Sequence, residues 1–81
     1  NWSLMPRYFF HVYHTSSQID REGEELPDKQ AAWREATETA GRILQDLDGR
    51  LEPGERPWRM VIADEFDQPL FEIHIAGKRR V

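Results

Sequence analysis

The spacing of apolar positions changes along the chain, and each change marks an element. Between Arg7 and Tyr13 nearly every side chain is aromatic or β-branched, which is strand composition. Tyr8, Phe10 and Val12 share one face of that strand, and Phe9, His11 and Tyr13 share the other. A strand apolar on both faces is central and covered on both sides, but the pattern leaves open which face lies under a helix. Thr15 to Gln18 is a polar break. Asp20-Arg21-Glu22-Gly23 has turn composition, with Asp leading and Gly able to take positive φ, so Ile19 and Leu26 are expected to flank a short hairpin.

From Asp28 to Leu47 the period becomes helical. At about 100° per residue, Ala32, Ala36, Thr39, Ala40, Ile43 and Leu47 fall on one stripe, with Trp33 and Leu44 at its edge. Arg34, Glu35, Glu38, Arg42 and Gln45 lie opposite. Asp28 suits the N-cap and Gly49 the left-handed position past the last turn. The alanines make the stripe shallow, so the helix can lie close to a sheet.

Leu51 to Pro57, with Pro53-Gly54 and Pro57, reads as a loop, and strands are expected at Trp58–Asp64 and Pro69–Ile75. Parity fixes their register. Setting Ile62 against Phe71, Met60 against Ile73 and Trp58 against Ile75 gathers six apolar side chains on one face, whereas a slip by one mixes them with Arg59 and Glu72. That pairing calls for an even loop, Phe66-Asp67 or Glu65 to Gln68. The elements assemble as an α+β domain over residues 5–76, with one helix packed on an antiparallel sheet of three main strands, in the order β, short β-hairpin, α, β, β.

One helix covers only one face of such a sheet. The other face is expected to present Val61 and Leu70 beside aromatic residues of the first strand, drawn from Tyr8, Phe9, Phe10, His11 and Tyr13, with Trp33 as a further interface candidate on the helix flank. The simplest partner is a second copy, and an unidentified protein is the other.

Composition narrows the chemistry. The 81 residues include nine aromatics, which argues against disorder. There is no cysteine, so disulfides, thiolate metal sites and a thiol nucleophile are excluded. No run approaches the roughly 18–20 apolar residues of a spanning helix, and no membrane partner is expected. A net charge of −4 makes nucleic acid a secondary expectation, carried by Lys78-Arg79-Arg80 in a flexible basic tail at 77–81 together with Arg59. Asn1 to Leu4 precede Met5, which suits a natural start, so 1–4 are expected to be a remnant or an upstream extension. No signal peptide is visible, because Tyr8 to Tyr13 is too short and carries His11, and the expected location is cytoplasmic.

No catalytic, cofactor-binding or metal-binding residue is assigned. His11 and His14 are three apart, and on a strand they point to opposite faces. His74 can reach Glu72 and Arg59, but one His and one Glu do not make a metal site. The acidic run Asp20 to Asp28 has its glycine at the fourth position, not the sixth that a calcium loop requires. Asp64, Glu65 and Asp67 cluster at a hairpin, where Asp serves local hydrogen bonds.

Met5-Pro6-Arg7-Tyr8-Phe9-Phe10-His11, then Asp20-x-x-Gly23-x-Glu25-Leu26-Pro27-Asp28, an alanine-rich helix, Trp58, Asp64-Glu65 and Leu70-Phe71 form a further pattern. It resembles a family of small bacterial proteins, frequent in rhizobia and related alphaproteobacteria, that carry a single domain of unknown function. The resemblance runs from Met5 to about Ile75, and it implies Met5 as the start and a bacterial cytoplasmic setting. It implies no catalytic residue, cofactor or substrate. The family commonly has Gly where this chain has Asp67.

Overall fold

A computed structural model describes residues 5–80. Five strands and one helix follow in the order β1 (Arg7–Tyr13), β2 (Ser17–Gln18), β3 (Glu24–Glu25), α1 (Lys29–Leu47), β4 (Trp58–Ala63) and β5 (Pro69–Ile75). All pairings are antiparallel: β4 lies between β1 and β5, and both short strands pair with the outer edge of β1. The α+β class and the two-layer arrangement are as expected, and the sheet has five strands, the three main ones and two of two residues each where the short hairpin was expected. The expected ends at 1–4 lie outside the described residues.

The helix boundaries follow from local chemistry. Asp28 is the N-cap, and its carboxylate accepts a hydrogen bond from the Ala31 N–H at 2.8 Å. At the other end Asp48 takes φ 51° and Gly49 φ 81°, closing the last turn. Ala32, Ala36 and Ala40 are buried, and they let the helix settle over Trp58, Met60 and Ile62 of the sheet. Pairing decides which face of β1 joins them. Phe10 stands opposite Ile62 and Val12 opposite Met60, so the Tyr8–Phe10–Val12 face turns toward the helix. Burial pushes the Tyr8 hydroxyl pKa up, and the charges of Asp28, Asp64 and Glu65 add to the shift.

Two features differ from expectation. The segment around Asp20–Gly23 does not fold back on itself. β2 pairs with Val12–Tyr13 and β3 with Arg7–Tyr8, so they form two pieces of one interrupted outer strand. The reason is close approach. Gly23, at φ 71°, lies so near β1 that a Cβ there would be 2.8 Å from the Tyr8 carbonyl oxygen.

The β4–β5 loop is odd, not even. The Asp64 N–H donates to the Gln68 carbonyl and the Asp67 N–H to the Asp64 carbonyl, enclosing Glu65, Phe66 and Asp67. Asp67 takes φ 61°, the left-handed position where glycine is at ease. A register shift between Ile62 and Ala63 then inserts one extra residue, which restores the parity. Ile62, Met60 and Trp58 therefore face Phe71, Ile73 and Ile75 as the burial pattern requires. The same irregularity moves Leu70, expected beside Val61, to pack against the helix-side core.

Candidate functional site

The sheet face away from the helix is built by alternation. Cross-strand register sets Tyr13 beside Arg59 and His74, His11 beside Val61 and Glu72, and Phe9 beside Ala63. Of the residues expected at an interface, Phe9, His11, Tyr13 and Val61 come together here. Tyr8, Phe10 and Leu70 do not, since all three belong to the helix-side core. Trp33 lies on the flank of α1, 42% exposed, with its ring 5.3 Å from that of Phe71.

At one end of this face the chain between β2 and β3 is held by side chains where a ladder is missing. One Asp20 carboxylate oxygen accepts from the Phe10 N–H at 3.1 Å, and the other accepts from the Glu22 and Gly23 N–H groups. In exchange the Asp20 N–H donates to Nδ1 of His11 at 3.1 Å. Burial alone would raise the Asp20 pKa, but the three backbone donors, Gly23, Phe10 and Glu22, outweigh it and hold the carboxyl below the usual aspartate range. His11 is only 8% exposed, and its Nε2 points toward Asp67, 3.9 Å away. A cavity of about 300 Å3 opens there, lined by Phe9, His11, Ile19, one cation, Arg21, and four carboxylates, Asp20, Asp64, Glu65 and Asp67. With Glu22, Glu24 and Glu25 adjoining in sequence, this end is acidic.

The opposite end is basic. Arg59 lies over the Tyr13 ring at 4.5 Å and donates to Glu72 at 3.0 Å, and His74 Nε2 meets the same carboxylate oxygen at 2.8 Å. These two partners lower the Glu72 pKa, Arg59 being the larger influence. Arg56 and His14 complete a second cavity, about 450 Å3, with Tyr13, Arg59 and His74.

The geometry limits what His11 can do. Its Nδ1 accepts a backbone hydrogen bond, which assigns the proton of the neutral ring to Nε2. The lone pair that a general base or a metal ligand needs is already engaged. No serine, threonine or lysine lines its cavity. Asp64 spends one oxygen on the Phe66 and Gln68 N–H groups, and Glu65 accepts from the Arg7 N–H. Among the described residues no three His, Asp or Glu side chains converge as a metal-binding group. No described helix is long and apolar enough to cross a membrane.

Sequence reasoning missed the Asp20–His11 exchange and the charge separation between the two ends. The second was visible in principle. Acids crowd 20–28 and 64–67, whereas 56–59 and 74–80 carry most of the bases that strand pairing brings to the other end.

Residues 7–76 match a family described as a domain of unknown function, DUF6894. The search of curated proteins and that of solved structures each returned no match.

Proposed function

The chain belongs to the DUF6894 family, and we propose that it is a non-catalytic domain of the bacterial cytoplasm that self-associates through the open face of its sheet. The observation that carries this is the arrangement of charge and apolar surface on that face. Phe9, Val61 and Tyr13 run across it, with an acidic cavity at one end and a basic one at the other. A two-fold axis near Val61 lays the acidic end of each copy on the basic end of the other, so the surface complements itself.

Magnitude sets the expected strength. Four strands about 4.8 Å apart and some 20 Å long give a footprint of roughly 400 Å2 per copy, at the small end for specific contacts. The dimer is therefore weak and reversible, and its pairing weakens with salt because the charged ends are exposed. Sedimentation equilibrium from micromolar to millimolar protein tests it. Val61→Glu sets a carboxylate at the centre and abolishes the dimer without changing the fold; an unaltered dimer refutes the open-face assignment.

One observation favours a second reading, contact with a nucleic-acid backbone. Arg56, Arg59, His14 and His74 share one cavity, and Lys78, Arg79 and Arg80 follow directly from that end of β5. Binding of single-stranded RNA or DNA that falls steeply with salt and is lost in Arg56→Glu supports it; no binding at low salt removes it.

A further inference from the structure

The two edges of the sheet are treated differently. Along β1 the outer strand is reduced to two pieces, Ser17–Gln18 and the acidic Glu24–Glu25, with the Asp20 side chain taking the backbone donor between them. Short, interrupted and charged, that edge cannot template another strand. The opposite edge is less defended: Pro69 and the extra residue at Leu70 blunt only its start, and its one charged residue, Glu72, is engaged by Arg59 and His74 of its own sheet. β5 pairs with β4 alone, is seven residues long, contains no lysine, and alternates apolar Phe71, Ile73 and Ile75 with Glu72 and His74.

Beside that bare edge runs a groove of about 300 Å3 between β5 and α1. Its walls are almost wholly apolar: Ile73 and Ile75 from the strand, Trp33, Ala40 and Leu44 from the helix. Trp33 and Leu44 are 42% and 40% exposed, and a Cβ at Gly41 would meet nothing within 4 Å, so the groove is open from the helix side. An unpaired strand edge next to an apolar helix groove is the geometry of strand addition.

We infer that this edge takes a second copy of the chain, β5 pairing antiparallel with β5 across a two-fold axis at Ile73. Side-chain chemistry selects the register. Both helices stay on the same side of the joined sheet only when the axis passes through a residue. An axis at Glu72 would set two carboxylates directly opposite each other, which is repulsive. An axis at Ile73 sets Phe71 opposite the partner's Ile75 and Glu72 opposite the partner's His74, so apolar meets apolar in the groove and acid meets imidazole on the other face. Trp33 and Leu44 of each copy then flank the seam.

The contact shares no centre with the open face, so each stands or falls alone, and a molecule using both is a tetramer with crossed two-fold axes. The chain has no cysteine, which makes a single introduced thiol a clean reporter. Under mild oxidant, Ile73→Cys is expected to form a disulfide-linked dimer. Adding Leu44→Glu slows that cross-linking by about tenfold or more, and adding Val61→Glu leaves it unchanged. A well-folded Ile73→Cys chain that stays monomeric, or cross-linking insensitive to Leu44→Glu, overturns the inference. Should Ile73→Cys fail to fold, sedimentation of Leu44→Glu in the otherwise native chain decides. Association weakened by Leu44→Glu, whether or not Val61→Glu weakens it as well, supports the edge contact. A native dimer lost only with Val61→Glu places self-association on the open face and refutes the edge, and a strict monomer refutes both.

Discussion

Removing the Asp20 carboxylate tests how the acidic end of the face is built. In Asp20→Ala the Phe10, Glu22 and Gly23 N–H groups lose their acceptor. The Phe10 N–H is part-buried between β1 and the β2–β3 segment, and a hydrogen bond to a charged acceptor is worth about 1.5–3 kcal/mol there. The two turn donors can turn to water and add only a few tenths each, so the loss is about 2–3 kcal/mol in all. Against a total of about 4–12 kcal/mol for a chain of this length, that is a large fraction. It corresponds to a fall in melting temperature of about 10–20 °C. Asp20→Asn separates the contributions. Its amide oxygen still serves the turn, but its NH2 faces the Phe10 N–H, so roughly half the loss remains or more.

Acid titration gives a second readout from the same variants. The folded pKa of Asp20 is depressed. Its contribution is complete above the ordinary aspartate range and is lost as the pH falls through the depressed folded value, because the unfolded chain takes up its proton first. Urea unfolding over that range is expected to show a shallower acid slope in Asp20→Ala than in the native chain. Stability within about 0.5 kcal/mol of native, the range of an inconsequential surface change, would refute the reasoning. So would an unchanged acid slope.

Gly23→Ala is expected to destabilise by about 3 kcal/mol, because the new Cβ meets the Tyr8 carbonyl and the Phe9 ring at 2.8 Å and φ is 71°; thermal unfolding measures it. Asp67→Gly relieves the left-handed strain at φ 61° and is expected to raise stability by about 1 kcal/mol. The 3.9 Å contact it removes from His11 involves a carboxylate that is 90% exposed and worth little. Met60→Ala empties the centre of the core, where the side chain is wholly buried, and is expected to lose about 2–5 kcal/mol in urea unfolding.

Local rules carried most of the architecture. Asp28 as N-cap, the alanine stripe and the pairing of Ile62 with Phe71 all follow from residues a few positions apart or from burial parity. What escaped was non-local or irregular. The Asp20–Gly23 turn composition is real, but its Asp side chain bonds to β1 ten residues upstream, and no propensity distinguishes that from a hairpin. The extra residue in the β4–β5 register turned an odd loop into even pairing and carried Leu70 to the helix side. The open face was legible as Phe9, His11, Tyr13 and Val61 once β1 was split by period two. Its orientation came only with the pairing of Phe10 to Ile62 and Val12 to Met60.

The central claim is that the open face pairs with itself, acidic end to basic end. Its most direct test is sedimentation of two charge-reversal variants, Asp67→Lys and Arg56→Glu, alone and mixed. Each alone sets like charges together at both ends of the contact and is expected to be monomeric where the native chain dimerises; mixed in equal amounts, they are expected to recover a dimer containing one of each. Dimers of either variant at native strength, or a mixture that stays monomeric while the native chain dimerises, would contradict it.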